Sequence, residues 1–362
     1  MNVLWFNHRD LLHPQAGGAE VRIMEIGKRL VKNGFNVKLV CERWKGSECK
    51  EFLDGIEIVR VSNRYGIHVM VPFLLAKFYD YYDVVIDDIA HAVPWFSSFF
   101  TNKPVIGQVH HVHQRALASE LSSIVGKFVA LSEARIKGAY NKLIVVSEST
   151  KNDLIVTLGV SEEIMTVVPN GVALDFFKPA KKSSEPRILC IGRLKRYKRV
   201  NHVLQAFSKV GKFFPNAQLF IVGEGDQLNA LKKQCKDLGL SNVIFTGRIN
   251  DNEKVQLMAS SWVIVNTSLI EGWGLTLTEA AACGTPAVAY NVPGLRDSVK
   301  NDVTGLLVES GDVNTFAKMI IRLLQNELLR NKLSENALRY AKEFSWDKTA
   351  EQFMKIIENV VN

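Results

Sequence analysis

No apolar run in this 362-residue chain approaches the roughly 18 residues that a membrane-spanning helix needs. Nor is there a Cys-x-x-Cys pair, a short-period repeat or a low-complexity tract. The first absence points to a soluble or peripheral protein. The second removes the commonest zinc and redox spacings, and the five cysteines, at 41, 49, 190, 235 and 283, read as reduced, structural thiols of a cytoplasmic protein. The third leaves no sign of a solenoid or a biased, unstructured segment. Charge of either sign is not in great excess: 45 Lys and Arg against 37 Asp and Glu leave +8. That balance suits an anionic partner, but nucleotides, anionic lipid and nucleic acid all satisfy it.

What the chain does have is length for two domains and an alternation of apolar strands with helical stretches. In the first half, strands are predicted at Met1–Asn7, Val37–Cys41, Ile56–Val61, Val84–Ile89, Val105–Val109, Leu143–Ser147 and Met165–Val168. The polar, proline-bounded stretch from Phe177 to Pro186 reads as a linker. The pattern restarts with strands at Arg187–Gly192, Gln218–Gly223, Val243–Gly247, Trp262–Asn266, Ala287–Tyr290 and Gly305–Val308. Such alternation predicts α/β architecture, two Rossmann-like halves each with a parallel sheet covered on both faces. The expected division is 1–176, a linker 177–186, 187–345 and a terminal helix over 346–362.

The most informative stretch is Glu271-Gly-Trp-Gly-Leu-Thr-Leu-Thr-Glu279, a glycine turn that opens a helix and carries an acid at each end. Leu275 to Cys283 has helical composition, with Gly284 placed to end that helix and Pro286 to prevent its continuation. Unpaired N–H groups at Gly272, Gly274 and Leu275 offer an anion or a sugar oxygen a binding place, and glycine admits a close approach. A helix starting near Gly272 would put Glu279 about two turns along, so the two acids would touch different parts of a long ligand. An ionised carboxylate accepts from both hydroxyls of a vicinal diol.

After the first strand of the second half comes Gly192-Arg193-Leu-Lys-Arg-Tyr-Lys198, whose fixed cations suit a diphosphate. Lys195, Arg196 and Arg199 read as solvated neighbours. After the first strand of the chain come Gly17 and Gly18, and His110 ends the run that begins at Pro104. His111 and His113 crowd His110, but no acidic or cysteine partner stands at ligand spacing, so no metal is expected. The Gly-x-Gly at Gly223 and Gly225 lacks the rest of a dinucleotide fingerprint: Leu228 stands where a small residue is needed, and no acid follows about twenty residues on. That removes a nicotinamide oxidoreductase.

Taken in order along nearly the whole chain, these motifs resemble family 4 glycosyltransferases, retaining enzymes of the two-domain GT-B type. Glu271-Gly-Trp-Gly stands for the commoner Glu-Gly-Phe-Gly. The resemblance implies two Rossmann-like domains facing each other across a deep cleft, with the helix from Trp346 crossing back to the N-terminal domain. It implies a nucleotide diphosphate sugar, UDP- or GDP-linked, as co-substrate, no cofactor, no metal and no nucleic acid partner. No Asp-x-Asp occurs, so the metal-dependent GT-A arrangement has no candidate ligands.

By the same resemblance Arg193 and Lys198 hold the diphosphate, helped by the amides of Gly17, Gly18, Gly272, Gly274 and Leu275. Glu279 holds ribose, Ile249 lies beside the base, and Trp273 lies near the hexose. Glu271 and His110 position the hexose in a front-face mechanism in which the leaving phosphate deprotonates the acceptor. The sequence departs from the family twice: Arg199 replaces a common glycine, leaving the local turn open, and Ala173 replaces the aspartate after Pro169-Asn170-Gly171.

The acceptor expected by analogy is a lipid-linked or cell-surface glycan met at the cytoplasmic face of the membrane. Lys127, Arg135, Lys137 and Lys142 around Phe128, Val129, Leu131, Ile136 and Tyr140, with the aromatic stretch Phe73–Tyr82, read either as a packed helix or as a peripheral lipid contact. A silent nucleotide- or sugar-binding regulator is the alternative to an enzyme.

Overall fold

The computed structural model describes residues 1–90, 93–113 and 123–362. It divides into two compact units. One comprises Met1–Gly171 with Trp346–Asn362, and the other Val172–Ser345.

The first unit carries β1 (Asn2–Phe6), β2 (Asn36–Glu42), β3 (Lys50–Leu53), β4 (Ile56–Val61), β5 (Val84–Ile89), β6 (Val105–Val109), β7 (Leu143–Val145) and β8 (Met165–Val167). They form one sheet in the order β3-β4-β2-β1-β5-β6-β7-β8. All neighbours are parallel except β3, which runs antiparallel to β4 at the edge. That edge strand is absent from the sequence reading because Lys50-Glu-Phe-Leu is too short and too polar to stand out, and its pairing with β4 defines it. Helices α1 (Gly18–Lys32), α2 (Gly66–Lys77) and α3 (Ser123–Ala134) belong to this unit.

The second unit holds β9 (Arg187–Ile191), β10 (Gln218–Val222), β11 (Val243–Gly247), β12 (Val263–Asn266), β13 (Ala287–Tyr290) and β14 (Gly305–Val308). Their order is β11-β10-β9-β12-β13-β14, wholly parallel. The strand order runs outward from β9 on one side and from β12 on the other, which is the doubly wound plan. Its helices include α4 (Asp251–Ser260) and α5 (Leu275–Ala282).

In such sheets a ligand crevice opens beyond the carboxyl ends of the strands, where the order reverses. In the second unit the reversal falls between β9 and β12, so the loops that follow those strands meet there. In the first it falls between β1 and β5.

The terminal helix α6 (Trp346–Val361) is part of the first unit. Its Phe353 and Ile357 are fully buried among Val3, Ile23, Ile26 and Val37, and Phe353 stacks on Trp5 at 5.2 Å between ring centroids. Each such side chain contributes about 1.5–3 kcal/mol by leaving water, so this helix completes the core of the unit.

Segment 177–186 lies in the second unit. Phe177 is in its core, and Lys182 reaches the Thr285 hydroxyl at 2.6 Å.

Candidate active site

In the second unit the loops after β9 and β12 bring Lys198 and Glu271 together. The Lys198 ammonium donates to Oε1 of Glu271, and the Ser268 hydroxyl donates to the same oxygen at 2.8 Å. Burial alone would raise the Glu271 carboxyl. The Lys198 charge outweighs it, with hydrogen bonds from Lys198, Ser268 and Asn266, and holds the acid below the ordinary glutamate range. Burial would likewise lower Lys198, but Glu271 overcomes it and the ammonium is held above its usual value. A fixed ion pair therefore stands at the switch point, with an acid and a cation for an incoming ligand to engage.

Arg193, on the same loop, is exposed and donates to the Tyr197 hydroxyl at 3.1 Å. Lys195 pairs with Asp226 at 2.6 Å and points elsewhere. The turn left open by Arg199 is resolved: Arg199 takes the left-handed conformation, φ 50° and ψ 38°, that a glycine would adopt without cost. Its guanidinium donates to Ser310 Oγ at 3.1 Å.

The Gly-x-Gly at 223 and 225 is a packing feature. A Cβ on Gly223 would stand 2.1 Å from the Gly192 carbonyl oxygen, and one on Gly225 would stand 2.2 Å from that of Leu194. These glycines let the β10 turn press against the cationic loop.

The helix after the glycine turn begins at Leu275, where the helical composition begins, and the alternative start near Gly272 is excluded. Gly274 adopts φ +78°, so α5 begins at Leu275 and not near Gly272. A side chain at 274 would also meet Ser298 Oγ at 2.7 Å. Glu279 consequently lies little more than one turn into the helix. Helix geometry leaves the Leu275 and Thr276 N–H groups without an intrahelical acceptor, while the Leu277 N–H donates to the Gly274 carbonyl at 2.8 Å. Glu279 is buried and pairs with Lys254 of α4 at 2.6 Å. Burial raises its carboxyl above the ordinary range, Lys254 opposes that rise and Asp251 adds to it.

Trp273 is 5% exposed and packs edge-on against Phe344, with ring centroids 4.9 Å apart. Its indole N–H has no hydrogen-bond partner among the described residues. The ring is thus a packing element of the second unit. Ile249 is half-buried and precedes Asn250, which caps α4 by accepting from the Glu253 N–H.

In the first unit, Gly17 and Gly18 stand at the N-terminus of α1, and the Gly17 N–H donates to Glu20 Oε2 at 2.7 Å. That amide, expected to be open, is capped by its own helix. His110, just beyond β6, places Nε2 2.8 Å from Asp88 Oδ1, and its carbonyl accepts from Thr150.

Several polar residues were not read from the sequence. Asp88, Gln108 and Arg22 are completely buried around His110. Lys254 and Ser268 are the partners of the two glutamates. The loop after β1 brings His8 within 3.0 Å of His68 on α2, with both rings against Trp95. Burial and nearby Arg64 push His68 down to about 4, so it is uncharged at neutral pH. Asp10 beside them accepts both arms of the buried Arg60 guanidinium at 2.8 and 3.2 Å, which fixes that loop. The one available signal was position: each of these residues sits at or just beyond a strand end, or on the helix that follows.

Among the described residues no group of three or more His, Cys, Asp or Glu is placed to hold a metal ion. No described helix is long and apolar enough to cross a membrane. Of the residues weighed as a lipid face, Val129, Ile136 and Tyr140 are buried in the first unit, while Phe128 and Leu131 are exposed.

Residues 16–176 match Glycosyltransferase Family 4 and residues 172–340 match Glycosyl transferases group 1. An uncharacterized glycosyltransferase of Methanocaldococcus jannaschii is 25% identical over 373 residues, 94% of each chain. Sucrose-phosphate synthase from Thermosynechococcus elongatus superposes with a TM-score of 0.86 at 21% identity, over 99% of this chain and 98% of that one. Anabaena HepE, solved in complex with UDP-glucose, gives a TM-score of 0.80 at 20% identity, over 99% and 100%. The switch-point geometry and the two family matches agree: the chain belongs to the family 4, group 1 glycosyltransferases of the GT-B superfamily, enzymes that transfer a sugar from a nucleotide diphosphate sugar to an acceptor.

Proposed function

We propose that the chain is a retaining hexosyltransferase that uses a UDP- or GDP-linked hexose and delivers it to a hydroxyl of a lipid-linked or cell-surface glycan. The observation that carries this reading is the Lys198–Glu271 pair at the switch point of the second sheet.

In the proposed mechanism Lys198 and Arg193 hold the diphosphate and stabilise the charge it gains as the glycosidic C–O bond breaks. The Gly272, Gly274 and Leu275 amides complete the anion site. The electron pair of the broken bond goes to the β-phosphate oxygen, the acceptor oxygen attacks from the same face, and its proton passes to that phosphate. Glu271 and His110 stabilise and orient the hexose while it carries positive charge. Glu279 accepts from the ribose hydroxyls, and Ile249 packs by the base. Trp273 acts from behind, by supporting the turn that carries Glu271. The neutral His68, with His8 beside it, suits recognition of acceptor hydroxyls.

Peripheral membrane contact belongs to the same proposal. Tyr65, Val69 and Phe73 recur every four residues along the solvent side of α2 and its N-cap, all strongly exposed, with Arg64 and Lys77 at the ends. An apolar stripe flanked by cations matches an anionic lipid surface.

The experiment is a panel of nucleotide hexoses incubated with the protein, with nucleoside diphosphate release followed and the anomeric configuration of the sugar product read by NMR. The reading requires one donor to turn over with retained configuration. Inversion would overturn it.

A further inference from the structure

Arg22, Gln108, Asp88 and His110 form one buried hydrogen-bonded line. Arg22 stands in α1 and is completely buried. Its Nε donates to Oε1 of Gln108 at 2.9 Å, and its Nη1 donates to the Pro169 carbonyl at 3.1 Å and to Asn170 Oδ1 at 2.8 Å. Asp88 and Gln108 are in-register neighbours on β5 and β6, so their side chains share one face of the sheet. The Gln108 amide nitrogen donates to Asp88 Oδ2, and Asp88 Oδ1 faces Nε2 of His110 at 2.8 Å.

The donor and acceptor roles along this line are forced. A guanidinium can only donate, so the oxygen of Gln108 must face Arg22 and its NH2 must face Asp88. Asp88 then accepts on Oδ2, and its remaining oxygen can be satisfied only by a proton on Nε2 of His110. The other neutral tautomer would set a ring lone pair against a buried carboxylate oxygen and leave both without a donor. The His110 side chain is 10% exposed, and its Nδ1 makes no hydrogen bond among the described residues.

We infer that this line locks the His110 ring with its proton on Nε2 and Nδ1 as the open atom, and that Asp88 and Gln108 are positioning residues for the sugar step. Nδ1 presents a lone pair, which accepts from a sugar hydroxyl. Because Arg22 is tied to Pro169 and Asn170, the same line anchors the Pro-Asn-Gly segment to the histidine. The inference rests on the proposed sugar-facing role of His110, and the test separates the two.

The full-length protein is labelled with 15N-histidine, and long-range proton–nitrogen spectra assign the tautomer, with His110→Gln identifying the His110 signals. The wild type is expected to show Nε2–H, a readout that needs no variant. In Asp88→Asn the Gln108 amide claims the new side-chain oxygen, so the Asn nitrogen faces the ring and the proton moves to Nδ1. The double variant Asp88→Asn, Gln108→Glu reverses the direction again. Its glutamate accepts from Arg22 and from the Asn nitrogen, which returns an oxygen to the ring and the proton to Nε2.

Turnover is expected to fall roughly tenfold in Asp88→Asn, the worth of one hydrogen bond, with little change in donor KM, and to recover in the double variant. An Nδ1–H tautomer in the wild type, or no change in Asp88→Asn, overturns the inference. A tautomer that switches as expected while turnover is unaffected overturns the positioning role. If His110→Gln also turns over normally, the fault lies in the sugar-facing role of His110.

Discussion

The second unit contains two part-buried glutamate–lysine pairs, Glu271 with Lys198 and Glu279 with Lys254, whose glutamates stand eight residues apart and whose carboxyls are displaced in opposite directions. Burial pushes both up. Glu271 is surrounded by further donors, Ser268 and Asn266, which join Lys198 and reverse the effect. Glu279 has Lys254 against it but also feels Asp251, and burial prevails. The charge state of a buried acid is thus set by its count of donors as much as by its partner. An acid held firmly ionised suits a positively charged transition state. One that protonates more readily suits a ground-state hydrogen-bonding partner such as a ribose diol.

The largest effect is expected at Glu271. Glu271→Gln should lower turnover by roughly 10²–10³-fold, the scale for removing one electrostatic stabiliser. Lys198 would then be released from its acid, so binding of the bare nucleoside diphosphate should stay level or tighten. Turnover and calorimetry together read that split. A parallel loss of both would mean that Glu271 only holds the loop in shape.

Glu279→Gln should weaken nucleoside diphosphate binding by roughly tenfold or more, as expected for a hydrogen bond to a charged group. Because the Glu279 carboxyl is raised, affinity of the wild type should decline on acidification before the ordinary glutamate range is reached. Titrations at several pH values should find that decline gone in Glu279→Gln.

A smaller effect concerns stability. Glu271, with a lowered carboxyl, contributes stability that is present above the unfolded glutamate value of about 4.3 and is lost as pH falls through its folded value. Glu279 has the opposite sign. Its contribution is full below about 4.3 and is lost as pH rises through its raised folded value. Denaturant unfolding across pH 3–7 should therefore show less acid destabilisation in Glu271→Gln, and a smaller loss as pH rises above the unfolded glutamate value in Glu279→Gln.

The smallest effect is expected outside this comparison, in the first unit. Val69→Ser with Phe73→Ser should reduce flotation with anionic vesicles at low salt and leave donor turnover in solution unchanged. Equal flotation by the variant would remove α2 as the lipid contact.

The two pairs also show what a sequence can carry. The strands and the glycine turn were legible because buried parallel strands are continuous apolar runs and because Gly284 and Pro286 punctuate α5. Glu271 and Lys198 were legible as separate motifs. Their pairing was not, since it depends on β9 and β12 lying side by side across 73 residues of chain. The helical stretch from Leu275 was legible in composition, but whether Gly272 to Gly274 joined its first turn was not, because a left-handed Gly274 sets the start and sequence does not reveal the sign of φ. Asp87 and Asp88 adjoin in the sequence, and nothing there tells them apart. On β5 the two face opposite sides: Asp87 meets Ser97 and Tyr140, and burial pushes its carboxyl up to about 6, whereas Asp88 meets Gln108 and His110. Alternation along a strand separates their roles, and only the packed helices identify which side is which.

The most direct test of the central claim, that the Lys198–Glu271 pair marks the donor diphosphate site, is calorimetric titration of UDP, GDP, ADP and NAD without added metal into the wild type and an Arg193→Ala, Lys198→Ala double variant. Saturable binding of one nucleoside diphosphate, weakened about 100-fold or more in the variant by loss of two charge-assisted contacts, is the expected result. Equal binding by the two proteins would contradict it.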